Sequence, residues 1–538
     1  MSKPPRPCLV VRGRTACAAA FILLISLILL GRARAQAAPE ESGGHGRILL
    51  VLPFNNNSGQ PSLEWIREAA ANILNSRFTS AGFAPLTRAD RLYALDHLGL
   101  PAGFQPSRAS SIKLAQTIDA DFIIVGSFTT DAGQITAQAS IVDVPHLRMG
   151  APLTASGQLP HLIDVFDALA WKLTREIDPG FTGSEQTFLA AGANLQLNAF
   201  EQYIRGITEP DQAERMRHLQ AAVKLSPRFS AAWMAIGRQD YASQQYDQAA
   251  AAFAKVSGND ADALEAGFYR GLSLIFSGDY ARAETAFASV ARVLPLAPVL
   301  NNEGVAISRQ GHDGTAMFRQ AAAADPDVAD YHFNLAVSLA HHGQKAAAES
   351  ELEKTLKLRP TDSEAQSLLS AWKQPSAPNE VDPLERIERG FDAVAFRQAA
   401  VMINQMENAR LTALSPDQRA RALAAKARDY LSRGLMLEAE HLYQESVSAD
   451  SQIADGHLGL AEVRERTGDA AGARAEAQKA IELAPSADAY LVLARLDLAA
   501  RSYPQARQDV QQALRLRPGD KNAAELMRQI TAGEAKPR

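Results

Sequence analysis

The chain has 538 residues, 46% hydrophobic and 7% aromatic, with a formal net charge of −5, enough for about three domains with full cores. The charge is unevenly placed: residues 1–37 hold six basic residues and no acidic one, so the remainder carries 49 basic against 60 acidic residues, a net of −11. A body that acidic is not drawn to phosphate backbones or anionic lipid, which argues against nucleic-acid binding.

The amino-terminal stretch reads as a targeting segment. Lys3, Arg6, Arg12 and Arg14 precede a 14-residue apolar run, Cys17–Leu30, and RARAQA then offers Ala33/Ala35 or Ala35/Ala37 as a small-residue cleavage pattern. The run is shorter than the ~20 residues that span a bilayer comfortably. The expectation is therefore a signal peptide over 1–37 and an exported, periplasmic or cell-envelope protein, the alternative being an uncleaved membrane tether through residues 17–30. Cys8 and Cys17 are the only cysteines, so a processed chain has no thiol, no disulfide and no cysteine metal ligand.

Next in order is a small α/β domain. RILLVLPF (47–54) is a continuous apolar run of strand length, suited to burial on both faces. NNNSGQPS follows as a turn, then SLEWIREAAANILNSRF with Leu63, Ile66, Ala70, Ile73 and Leu74 on one helical stripe. FAPLT reads as a short strand, and helices are expected near 89–98 and 107–117. DFIIVGSFTT and QITAQASIVDV form a strand pair around Asp131-Ala132-Gly133, GAPLTASGQ adds a further strand, and HLIDVFDALAWKLTREID closes the unit as an amphipathic helix. VLPFNNNSG, ADFIIVGSF and ITAQASIVDV together resemble the TolB amino-terminal-like domain, placed at 46–180; that resemblance implies a part in protein assembly rather than catalysis. The loop Asn55–Gly59 lies between a strand and a helix, where backbone N–H groups can hold anions. It lacks a glycine-rich cradle and a lysine, so it is read as a turn capping the helix through Ser62.

From about residue 198 the pattern is helical and periodic. Small residues in a first helix fall at Gly237, Gly271, Gly304 and Ala336, then at Ala427, Ala461 and Ala494. Second-helix alanines recur at Ala249, Ala283, Ala348, Ala439, Ala473 and Ala506. Glycines stand between helices at Gly278, Gly311, Gly343, Gly434 and Gly468, and prolines follow at Pro227, Pro295, Pro326, Pro360, Pro485 and Pro518. A 34-residue period with Trp233/Gly237/Ala249/Phe253 and Gly271/Gly278/Tyr280/Ala283/Phe287/Pro295 is similar to the tetratricopeptide repeat. The fold class is thus an α-solenoid, a tetratricopeptide superhelix, preceded by a small α/β domain and mainly α overall. Pairs are expected near 198, 230, 264, 297 and 329 with a closing helix, giving a first array at 196–372. KQPSAPNEVDP breaks the register as a linker over 373–384. A second array over 385–530 opens with a degenerate pair near 384, continues near 420, 454 and 487, and ends in a polar cap helix.

First helices of such pairs line a concave surface, so the groove residues of the first array are taken as Met234, Arg238, Tyr241, Phe268, Leu272, Ile275, Asn301, Val305 and Phe333. This largely apolar set suits other proteins or peptides. The Lys and Arg positions with which chaperone-binding relatives grip a terminal carboxylate are not filled. No catalytic motif, cofactor fingerprint or metal-ligand spacing is present; His341-His342, beside Gly343, reads as favourable charge at a helix end. The function expected is a non-enzymatic scaffold or adaptor. The alternative is a sensor whose α/β domain binds a small molecule and whose repeats relay that state.

Overall fold

The computed structural model describes residues 47–101, 108–192, 195–260, 262–373, 383–391, 396, 402 and 406–534. The expected signal segment, with its apolar run at 17–30, lies outside them, and so does most of the expected linker. No helix of the described residues is long and apolar enough to cross a membrane.

Seven strands form the α/β domain: β1 (Ile48–Val51), β2 (Asn55–Asn56), β3 (Ala84–Pro85), β4 (Phe122–Asp131), β5 (Gln134–Asp143), β6 (Arg148–Met149) and β7 (Leu153–Gln158). They make one mixed sheet in the order β3-β1-β4-β5-β6, with β2 extending the parallel pairing along β4 and β7 pairing β5. β1 runs parallel to β3 and β4, whereas β4 and β5 are a ten-residue antiparallel hairpin. Its turn needs a left-handed backbone at both central positions, and Ala132 and Gly133 adopt it, with φ of 45° and 80°.

Alternation along β1 explains its apolar run. Leu49 and Val51 face α1 (Ile66–Ser80) and, beyond two more helices, Leu162–Ile177, in a core with Phe128, Phe166 and Leu169. Leu50 and Leu52 point the other way, into a core with Leu95, Leu114, Ile123 and Val142 under α2 (Arg88–His97) and α3 (Arg108–Thr117). The expected cap at Ser62 is corrected: that residue lies in the 3-10 turn Pro61–Leu63, and α1 begins after Trp65 with no side-chain cap.

The repeats follow as helix pairs. The first array comprises Leu197–Thr208 with Gln212–Leu225, Ser230–Ala242 with Tyr246–Phe253, Ala263–Phe276 with Tyr280–Val293, Ala297–Ser308 with Thr315–Ala324, and Ala329–His341 with Lys345–Leu358, followed by Ser363–Lys373. The second comprises Pro416–Ser432 with Met436–Ala449, Ala454–Thr467 with Ala470–Leu483, and Ala487–Ala499 with Tyr503–Leu516, closed by Lys521–Glu534.

Volume complementarity sets the crossing of each pair. A methyl on Gly237, Gly271 or Gly304 would stand 2.7, 2.6 or 2.8 Å from Phe253, Phe287 or Phe318, so hydrogen is the only substituent that admits the ring. Seven residues after each small position the chain turns left-handed. Five of those turns use glycine, but Gln244 and Arg501 hold φ of 59° and 58°. A second recurring device ties the first helix to the chain before it. Trp233 Nε1 donates to the Pro227 carbonyl at 2.9 Å. His332 Nε2 meets the Pro326 carbonyl at 3.0 Å and His457 Nε2 the Ser451 carbonyl at 3.3 Å. Each bond spans six residues, so the aromatic or imidazole ring fills the same place in three repeats.

The first pair of the second array packs back onto the α/β domain. Leu437 joins that domain's core, Gln444 Nε2 donates to the Thr182 carbonyl at 3.1 Å, and the Ser184 N–H donates to Glu440 at 3.2 Å. The same pair touches the first array where Asn259 donates to the Arg433 carbonyl at 2.9 Å. In the region where a degenerate pair is expected to open, residues 396, 402 and 406–412 are helical. Residues 383–391 are neither helix nor strand, and side chains of the first array meet the Glu385 carbonyl and both backbone polar groups of Arg386 and Glu388.

Candidate functional site

Two residues before each small position, the first helices of the third, fourth and fifth pairs carry Tyr269, Asn302 and Asn334; three residues before it they carry Phe268, Asn301 and Phe333. Helical periodicity places both rows on the concave side, and there they meet the chain's own residues 385–391. Asn334 receives the Arg386 N–H at 2.7 Å and donates to the Arg386 carbonyl at 2.7 Å. Asn302 repeats the arrangement two residues on, receiving the Glu388 N–H at 2.9 Å and donating to the Glu388 carbonyl at 2.7 Å. Asn301 adds a bond to the Arg386 carbonyl at 3.0 Å and accepts one from Asn334 at 2.8 Å. Each clamping amide thus matches one residue's donor and acceptor, and the i, i+2 spacing is that of an extended chain. Asn301, Asn302 and Asn334 are almost fully buried, so leaving any of them unpaired would be costly.

Side-chain pockets flank this backbone clamp. The Arg386 guanidinium lies 3.5 Å from the centre of the Phe333 ring. It is forked onto Asp362 at 2.6 and 2.9 Å, and it reaches Asp330 at 2.8 Å and Glu364 at 2.9 Å. Its hydrogen bond to Asp362 holds that carboxyl below the usual range despite burial. Burial opposes ionisation of Asp330, but bonds from Arg359 and Arg386 outweigh it and lower its pKa too. One residue earlier, Glu385 accepts from Ser308, and its carbonyl accepts from Arg309 at 3.1 Å. Ile387 packs against the apolar core, and Arg389 lies over Phe276 at 5.1 Å. Phe391 ends the contact against Phe268, ring centres 5.7 Å apart, and Phe396 lies 4.0 Å from Phe391.

Of the nine groove residues expected from sequence, Phe268, Asn301 and Phe333 touch this segment. Arg238 pairs with Glu265 at 2.7 Å, and Tyr241 belongs to an aromatic cluster with Tyr246 and Tyr269. Met234 is buried with Ala249 and Phe253, while Leu272, Ile275 and Val305 are buried in the apolar core against which Ile387 and Phe391 pack. The reason is rotational: a helix packed on both sides exposes only a narrow stripe, and an apolar residue off that stripe is buried by its neighbours. Asn302, Asn334, Ser308, Asp330 and Asp362 escaped the sequence reading. The recurrence of Asn302 and Asn334 at one repeat position is the signal that would have found them.

In and beside the loop Asn55–Gly59, relevant to the sensor alternative, several backbone donors are engaged. The Asn57 N–H bonds the Phe128 carbonyl at 2.9 Å, the Ser58 N–H bonds Asn56 at 3.0 Å, and the Gln60 N–H bonds Ser58 at 3.1 Å. A cavity of about 340 Å³ beside α2 is lined by Arg88, Arg215 and Arg238, but Arg215 is spent on the Glu209 and Pro210 carbonyls and Arg238 on Glu265. Among the described residues, no group of three or more His, Cys, Asp or Glu side chains is placed to hold a metal ion.

Tetratricopeptide repeat family models match residues 234–298, 309–371 and 424–488; the chain contains these repeats in both arrays. No curated protein matches it. Among solved structures it is similar to the first tetratricopeptide domain of Spaghetti (RPAP3) bound to an HSP90 peptide, at 25% identity over 22% of this chain and 96% of that one, TM-score 0.22. It is also similar to YrrB, described as a tetratricopeptide protein with an unusual peptide-binding site, at 15% identity over 38% and 99%, TM-score 0.28. A third similarity is to the carboxy-terminal domain of LpoB from Escherichia coli, at 16% identity over 23% and 91%, TM-score 0.20. Tetratricopeptide repeats mediate protein–protein interaction, and their concave faces are the usual surface for it.

Proposed function

We propose that this chain is an exported, non-enzymatic scaffold of the cell envelope whose first repeat array holds an extended segment of another protein. The observation that carries the reading is the pair of buried amides, Asn302 and Asn334, each meeting both polar groups of one backbone residue. Side-chain amides that pair with main chain recognise any extended segment, and the flanking pockets then select among segments. The basic, apolar and small-residue stretches within 1–37 support export. The α/β domain, read as TolB-like, would contribute a second protein contact rather than a catalytic centre.

Affinity purification of the full chain under mild crosslinking, beside an Asn302→Ala/Asn334→Ala variant, tests this. Proteins recovered with the wild type and lost with the variant support the groove as the docking surface. A partner set unchanged by the double substitution would remove the groove from the function.

A further inference from the structure

We infer that residues 385–391 are an internal pseudo-ligand, and that the first array's natural partner is an extended segment carrying arginine in the place of Arg386. The inference rests on the groove reading above and adds to it the chemistry of the partner and a means of control.

Three observations lead there. The backbone clamp is indifferent to sequence, but the pocket beside it is not. Asp330, Asp362 and Glu364 converge on one guanidinium over the face of Phe333. A planar, forked cation fits both the carboxylates and the ring, whereas a lysine ammonium meets only one such group well. Without that cation Arg359 alone faces the carboxylates, through Asp330 at 2.8 Å and Asp362 at 3.6 Å, and negative charge accumulates at a partly buried place. An occupant lacking arginine is therefore rejected as well as unrewarded.

The neighbours extend the pattern. An acidic residue before the arginine meets Ser308 and Arg309, an aliphatic residue after it packs as Ile387 does, and an aromatic ring five positions beyond the arginine packs at a tilt as Phe391 does against Phe268. The chain supplies this pattern itself, in a segment covalently joined to the array. Tethering raises that segment's effective concentration at the groove. A free partner must outcompete it, so the groove opens only to a segment that binds better than the resident one or arrives at high local concentration.

The test uses the full chain and a fluorescent synthetic peptide of residues 383–391, PLERIERGF. Wild-type chain should bind the probe weakly. A chain carrying Arg386→Ala should bind it at least ten-fold more tightly, with unchanged helical circular dichroism serving as the control for folding. Replacing arginine by alanine at the Arg386 position of the probe should abolish that gain, and so should adding Asn302→Ala and Asn334→Ala to the chain. Saturating probe should also raise amide exchange of residues 385–391 in the wild-type chain. Equal, tight binding to wild type and Arg386→Ala would overturn the pseudo-ligand while leaving the groove a peptide site. No binding to either chain would overturn the arginine-bearing partner, and the partner capture by the full chain would still decide the groove itself.

Discussion

The two repeat arrays share a scaffold and differ in their grooves. In both, a small residue in the first helix is followed seven positions later by a left-handed turn, in every pair but the one that opens the first array. Asp330, Arg359 and Asp362 at the end of the first array recur as Asp488, Arg517 and Asp520 at the end of the second, with Arg359–Asp330 at 2.8 Å and Arg517–Asp488 at 2.7 Å. The groove rows do not recur. Where the first array presents Asn302 and Asn334, the second has Gly459 and Val492; where it presents Asn301 and Phe333, the second has Leu458 and Leu491. Packing positions repeat because every pair must cross its neighbour at the same distance, whereas a groove position is free to follow whatever lies in the groove. The polar clamp in one array alone therefore marks a site, while the shared triad is common architecture that in the first array also meets Arg386 through Asp330 and Asp362.

The largest effect should come from the positions that the arrays share. Phe287→Ala in the first and Tyr443→Ala in the second each empty a fully buried ring site and should cost about 3–5 kcal/mol, read as equal shifts in urea midpoint. A small effect at one of them would show that its array is packed differently. Next, Asn334→Leu removes two of the bonds that hold Arg386 and should weaken docking of residues 385–391 by about 1–3 kcal/mol. Hydrogen exchange at those residues should rise accordingly.

Acidity should separate the segment from the scaffold. The carboxyls of Asp330 and Asp362 are held below their ordinary range when the segment is docked. Docking is therefore fully favoured above the free carboxylate pKa of about 3.9 and is lost as pH falls through the depressed values. Exchange of residues 385–391 should accelerate below about pH 4 before helical circular dichroism declines; simultaneous loss would contradict the segment's separate release. The smallest effect concerns the two turns without glycine. Gln244→Gly and Arg501→Gly relieve a left-handed conformation and should each stabilise by about 1 kcal/mol, a rise in melting temperature that the five glycine turns cannot show.

Much of this was legible from residues alone. Strand alternation at Leu49–Leu52 and the spacing of Gly237, Gly271 and Gly304 report local geometry, and the helices and sheet follow from it. The nine expected groove residues follow from their positions on first helices, and position on a first helix does not separate a concave face from an inter-repeat core; Met234, Leu272 and Val305 have core neighbours that only packing reveals. Ser62 resembled a cap because it precedes an apolar stripe, but a 3-10 turn intervenes.

The sequence by itself determined the repeats and the α/β layers, since close helix crossing and a sheet buried on both faces each demand residue types at a fixed period. Only the tertiary structure decided that residues 385–391 lie in the first groove and that the second array begins against the α/β domain. Those outcomes rest on contacts made once each, the amide clamp joining residues 52 to 86 positions apart in the first case and the docking bonds joining residues 256 to 262 apart in the second. No period announces such pairings, because each is made once, by side chains whose partners folding alone brings within reach.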